Sequence, residues 1–364
     1  MRLCLEISPL QEGSFTGIPE VTARIAEKML TDDTIVSEFF YESSRIPKNI
    51  VKGILKSRTG INLRYLVENR FLEPIEPANS SGPTVGLFTN RKAYRDYFEH
   101  EVLIVHDLSP LTHPKYHSDD TKEYYHRNFL SEVESSDLLV CVSESTEKEL
   151  IQYFKPEVNG RTIAIPLGVD QMTAIAHANS ATRLQEKPFV MILGTLEPRK
   201  NVSVVLEYLS QNNQFFDDYD VVFTGRIGWL LEFDLELERL GLLKYKKSGN
   251  IKSTGFIDER SKFALLSQAA LVIYPSIFEG FGLPVIEAMA VGTNVLTTAS
   301  SSIPEVGADF VTYFDPYSLE SFGEKLNESL SKFPEALLKE HAAYYSWEIF
   351  YEKLKAAIES LVND

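Results

Sequence analysis

Short apolar, β-rich runs alternate with amphipathic stretches along nearly the whole chain, and this alternation limits the fold more than any other feature. Runs at 3–7, 84–88, 101–105, 138–142 and 162–165 read as strands, as do 189–193, 221–223, 250–253, 271–274 and 294–297. Helical spacing lies between them, for example at 18–30, 202–209 and 261–268. Strands that take turns with helices build parallel sheets with crossover helices. The pattern lapses over 169–187 and restarts at Phe189, and 364 residues exceed one ordinary core, so two domains are expected. The expected bounds are 1–170 and 185–345. The amphipathic stretch 346–364 is expected to pack back on the first domain, with Trp347, Phe350, Leu354 and Ile358 on one side. Two such Rossmann-like units form a cleft, and ligands of open α/β sheets bind at the carboxyl ends of the strands.

Charge and cysteine content narrow the classes. With 36 Lys and Arg against 52 Asp and Glu, the net charge of −16 argues against a nucleic-acid partner, which needs a basic field. Cys4 and Cys141 sit inside apolar runs and read as buried free thiols of a reducing compartment. The apolar run at the N-terminus is short and interrupted by Glu6, and no run is long enough to span a bilayer. A cytoplasmic location is expected, with the cytoplasmic face of a membrane as its alternative.

Three segments carry chemistry. The first is Tyr274-Pro-Ser-Ile-Phe-Glu-Gly-Phe-Gly-Leu-Pro-Val-Ile-Glu-Ala-Met-Ala290. A strand ends, a glycine-bearing loop follows, and Pro284 falls where the first turn of a helix favours it. The amides of Phe281, Gly282 and Leu283 then lie at a helix N-terminus, a natural seat for a phosphate. Glu279 precedes that helix and Glu287 lies within it, so both can face one ligand. The second segment is Leu193-Gly-Thr-Leu-Glu-Pro-Arg-Lys-Asn201, where Arg199 and Lys200 can neutralise a diphosphate leaving group. The third is Val105-His106-Asp107-Leu-Ser-Pro-Leu-Thr-His-Pro-Lys-Tyr-His117. There His106 and Asp107 follow a strand, and Asp107 either orients the imidazole or is simply solvated. His113, His117 and His126 read as structural.

Glu279 and Glu287, with seven residues between them around Glu-Gly-Phe-Gly-Leu-Pro, resemble the signature of glycosyltransferase family 4, the glycosyl transferases group 1. The resemblance runs through the chain in the family's motif order. It implies the GT-B architecture, two Rossmann-like parallel-sheet domains of α/β class facing each other across a cleft. It also implies a retaining, metal-independent hexosyl transfer from a nucleoside diphosphate sugar, with UDP- and GDP-hexoses both open, to a glycan or lipid-linked acceptor. By the same resemblance Glu279 contacts the donor sugar's hydroxyls, Glu287 the ribose, and His106 lies beside the sugar. Arg199 and Lys200 match the phosphate-binding pair, although many members carry Arg where this chain has Thr195. Gly17 matches a loop that approaches the diphosphate, Gly280 completes the Glu-Gly-Phe-Gly-Leu loop, and Gly255 with Phe256 matches the segment that holds the base.

Three further readings accompany it. Asp218-Tyr-Asp220 spells a sequence that holds manganese in other glycosyltransferases, but here it leads into a strand, so no metal cofactor is expected. The stretch 45–70 carries Arg45, Lys48, Lys52, Lys56, Arg58, Arg64 and Arg70 with interleaved apolar residues, a candidate for peripheral contact with an anionic membrane. The competing classes are a non-catalytic nucleotide-sugar binding protein and another GT-B enzyme such as an epimerase or a phosphorylase. Donor hydrolysis and a cofactor spectrum separate them from a transferase.

Overall fold

The computed structural model describes residues 1–69, 72–78, 82–92, 94–155, 158, 161–182, 185–228, 232–330 and 332–363. The chain forms two compact units, one of residues 1–167 with 347–364, the other of residues 168–346.

The first unit holds a seven-stranded sheet: β1 (Arg2–Glu6), β2 (Val36–Tyr41), β3 (Ser44–Arg45), β4 (Thr84–Phe88), β5 (His100–Val105), β6 (Leu138–Cys141) and β7 (Thr162–Ala164). Their order is β3-β2-β1-β4-β5-β6-β7, parallel throughout except that β3 runs against β2. Every residue of β1 and β4 is buried, because crossover helices cover both faces. The second unit holds β8 (Phe189–Leu193), β9 (Asp220–Thr224), β10 (Ile251–Gly255), β11 (Leu271–Tyr274), β12 (Val295–Thr298) and β13 (Thr312–Phe314). All run parallel in the order β10-β9-β8-β11-β12-β13.

In each sheet the chain first builds outward on one side of its opening strand and then returns to build on the other. The reversal falls between β1 and β4 in the first unit and between β8 and β11 in the second. At such a point the loops leaving two neighbouring strands diverge to opposite faces, which opens a crevice at their carboxyl ends.

The sequence pattern misses β2, β3 and β13. In β2, Ser37 and Glu38 break the apolar run, yet Glu38 accepts from Arg2 at 2.7 Å on the neighbouring strand and is thereby neutralised at the sheet. Local preference reads such a segment as loop, and tertiary pairing overrides it. Strand β13 has only three residues, too few to show a period. Cys4 and Cys141 are buried free thiols, and burial pushes the Cys4 thiol up to about 12.

Candidate functional site

At the reversal point of the second sheet, two loops are joined. After β8, a single 3-10 turn at Pro198–Lys200 presents Arg199 and Lys200, and helix Val202–Gln211 follows. After β11, the chain runs through Glu279 into helix Leu283–Ala290. The Ile277 amide donates to the Arg199 carbonyl at 2.9 Å, tying one loop to the other.

Their side chains form an alternating row of charges. The Arg199 guanidinium donates to Glu197 at 2.9 Å through Nη2, and to Glu279 at 3.0 Å through Nη1. The same Nη1 reaches the Phe278 carbonyl at 2.8 Å. Lys200 Nζ donates to the other Glu279 oxygen at 2.5 Å and to the Tyr274 hydroxyl at 2.8 Å. The four charged side chains are only 4 to 15% exposed. Burial alone would raise the Glu279 carboxyl, but Arg199 and Lys200 outweigh it and hold the group down at about 2. Burial lowers Lys200 while Glu279 opposes the shift. At neutral pH the carboxylate is ionised, since the cations stabilise that form.

The loop before the helix is held by hydroxyls at the end of β12. Ser301 and Ser302 donate to the Glu279 carbonyl at 2.6 and 2.8 Å, and Ser302 also reaches the Phe281 carbonyl at 3.0 Å. Gly282 precedes the helix with φ +103°, in the left-handed region where a side chain is strained, and Pro284 fills the first turn. Among the described residues, no acceptor takes the amides of Phe281, Gly282 and Leu283. They form the positive end of the helix beside Glu279.

Gly255 and Phe256, also singled out in this unit, lie along the same carboxyl edge. Gly255 ends β10, and its carbonyl accepts the Gly225 amide at 3.0 Å. Phe256, next in sequence, leaves 43% of its surface exposed, with the Arg226 guanidinium 5.7 Å from its ring centroid. Glu287 is held by Lys262 at 2.5 Å, a partner from helix Glu259–Gln268. Asp220 accepts from Lys252 and Asn250 at 3.0 and 3.1 Å, which fastens the amino end of β9 to the edge strand β10. Among the described residues, no three His, Cys, Asp or Glu side chains are grouped to hold a metal.

Gly17 and His106 belong to the first unit, at the carboxyl edge beside its own reversal point. Gly17 opens helix Ile18–Met29, whose Thr22 hydroxyl lies 2.6 Å from that of Thr89, the residue after β4. The Thr89 carbonyl in turn accepts from His106 Nε2 at 2.8 Å. A carbonyl only accepts, so Nε2 carries the proton; burial lowers the imidazole, against Thr89 and Asp107, and the ring is neutral with Nδ1 as its lone pair. Asp107 does not orient that ring: its carboxylate accepts the Ser109 amide at 2.9 Å and hydroxyl at 2.6 Å, capping the next turn. The Ser109 hydroxyl also meets His117 at 2.7 Å, which fits a structural histidine.

The basic stretch is mostly helix Lys48–Ser57 and helix Leu63–Asn69; Arg70 lies outside the described residues. Ile46, Val51, Ile54 and Leu55 are buried in the protein core, so the apolar side that an inserting helix needs is already occupied. Arg45, Arg58 and Arg64 are paired with carboxylates, and Lys48, Lys52 and Lys56 are exposed. No helix among the described residues is long and apolar enough to cross a membrane.

The sequence pattern does not single out Glu197, Tyr274, Ser301, Ser302, Lys262 or Thr89. Glu197 had a faint signal, an acid two residues before Arg199. The others touch their partners across 17 or more residues, which no local pattern reports.

Residues 176–342 match the profile of a family described as "Glycosyl transferases group 1". The O-antigen chain mannosyltransferase B of Escherichia coli is 27% identical over 256 residues, 65% of this chain and 66% of that one. A serotype-specific mannosyltransferase WbdA of Escherichia coli is 28% identical over 270 residues, 70% of this chain but 30% of its own length. The alignments thus span from under a third to about two thirds of these relatives. HepE of Anabaena, solved in complex with UDP and glucose, superposes with a TM-score of 0.67 at 14% identity, covering 99% of this chain and 100% of that one. At that identity the likeness speaks for the fold, which is GT-B.

Proposed function

We propose, from the premise that this chain carries a glycosyl transferases group 1 domain within a GT-B fold, that it moves a hexose from a nucleoside diphosphate sugar to a glycan or lipid-linked acceptor. One observation carries the reading: at the reversal point of the second sheet two cations clasp an ionised carboxylate, and the chain leads from it into a helix whose first amides have no acceptor among the described residues.

Chemistry follows from that arrangement. Breaking a glycosidic phosphate bond places negative charge on the leaving diphosphate, and donors fixed in advance where charge develops supply the largest share of rate enhancement. Arg199, Lys200 and the amides of Phe281, Gly282 and Leu283 take that role. Glu279 binds hydroxyls of the hexose, and its two neighbouring cations keep it an acceptor. Gly280 lets the loop follow the sugar closely. Glu287 takes the ribose, Phe256 offers a face to the base with Gly255 beside it, and Gly17 lies by the diphosphate. His106, neutral, is assigned to the sugar. Transfer proceeds with retention and needs no metal, since cations and a helix terminus bring the positive charge.

The named relatives make mannose the first hexose to test, with glucose next, in polysaccharide or glycoconjugate synthesis. A thermal-shift panel of UDP- and GDP-sugars identifies the donor, because a bound ligand raises the melting temperature by mass action. Glu279→Ala should lower transfer at least about a hundredfold while the protein stays folded. Near-normal transfer by that variant would refute the assignment.

A further inference from the structure

Arg199 and Lys200 are nearly buried, and their strongest bonds already go to Glu279, which is itself only 6% exposed. Two cations held so far from water need a resident anion, since an unpaired buried charge is costly. A diphosphate needs the same N–H donors. Lys200 Nζ has three, of which Glu279 and Tyr274 take two, and Arg199 Nη1 is divided between Glu279 and the Phe278 carbonyl. Diphosphate and Glu279 therefore compete for one pair of cations.

Resting on the donor-site reading above, we infer that Glu279 stands in for the diphosphate while the site is empty, and is displaced from Arg199 and Lys200 when the donor arrives. Glu197 makes the exchange orderly. It is 3% exposed and holds the far edge of the Arg199 guanidinium at 2.9 Å, so the guanidinium stays in place as its other edge changes partner. The released carboxylate then needs donors of its own, and hydroxyls of the hexose supply them. A nucleoside diphosphate without its sugar takes the cations but leaves Glu279 with nothing to accept. The exchange thus discriminates an intact donor from the spent nucleotide, which helps product leave.

This role and a simple sugar-contact role predict opposite results for ligands that lack the sugar. Calorimetric titration with UDP and GDP compares the wild-type protein with Glu279→Gln and Glu279→Asp. Asp preserves the buried negative charge, and with it the fold, but is one methylene too short to span both cations. Removal of the competing anion should tighten the nucleoside diphosphate about tenfold or more in the Gln variant, and less in the Asp variant. Transfer should fall in both. If wild type binds either nucleotide and both folded variants bind it equally or more weakly, the stand-in role is overturned. If wild type binds neither, the donor-site reading itself fails, and this inference with it.

Discussion

Lys200 and Arg199 share one carboxylate, so each variant of this trio tests a separate charge. Lys200→Ala leaves Glu279 with one cation and, on the proposed function, removes a donor to the leaving diphosphate. Transfer should drop about a hundredfold or more, with a lower melting temperature, since a buried pair has lost a partner. The Glu279 carboxyl is held at about 2 against an ordinary 4.5, so its pairing stabilises the fold above pH 4.5 and that contribution is lost as pH falls toward 2. Glu6 behaves in the opposite sense. Burial raises its carboxyl to about 7, against Ser8, which donates through its amide and hydroxyl at 2.9 and 2.8 Å. The unfolded chain loses that proton first, so stability declines as pH climbs from 4.5 through about 7. Glu6→Gln should flatten the fall in melting temperature across this window; an unchanged slope would show that Glu6 does not cause it. At this scale the sequence revealed Glu279, Arg199 and Lys200 through their motifs, but not that they meet, because a side chain's direction from a 3-10 turn is not written in residue spacing. Thr89 was invisible for a similar reason: it reaches His106 across two adjacent strands.

The site's geometry depends on how closely the ends of neighbouring strands approach. Gly225, just after β9, has φ +141°, and a Cβ there would lie 2.0 Å from the Gly194 carbonyl oxygen after β8. Gly225→Ala must therefore push apart the two strand ends. The expected cost is at least about 2 kcal/mol in denaturant unfolding, with weaker nucleotide binding. Unaltered stability would mean that the two loops separate without cost. Elements were legible where burial on both faces leaves a continuous apolar run, as in β4, β8 and β11. They were illegible where a polar residue is neutralised from another strand, as Glu38 of β2 is by Arg2. The basic helix at 48–57 shows the limit of amphipathic pattern. Its apolar stripe was plain, yet spacing alone does not tell a stripe that faces a membrane from one that faces the core, where Val51, Ile54 and Leu55 are buried.

For the molecule as a whole, the chain ends in the unit where it began. Helix Trp347–Asn363 belongs to the first unit, with Trp347, Phe350, Leu354 and Ile358 buried. Tyr351 and Lys355 both donate to Asp32, at 3.0 and 2.8 Å. Exposing four such side chains removes up to roughly 6 to 12 kcal/mol, comparable with the whole stability of a domain. A chain ending at Ser346 should therefore lose native-state hydrogen-exchange protection in the first sheet while the second retains it. Equal protection in both would show that the helix is dispensable. The acidic balance and the two-sheet pattern were readable from the sequence, whereas the base and sugar of the proposed donor depend on side-chain contacts that no motif specifies.

The most direct measurement is a crystal structure of the protein soaked with the nucleotide-sugar that stabilises it best. The diphosphate is expected within about 3 Å of Lys200 Nζ, the Arg199 guanidinium and the amides preceding Pro284, with Glu279 turned to the hexose. A nucleotide seated elsewhere, with Glu279 still clasped by both cations, would contradict it.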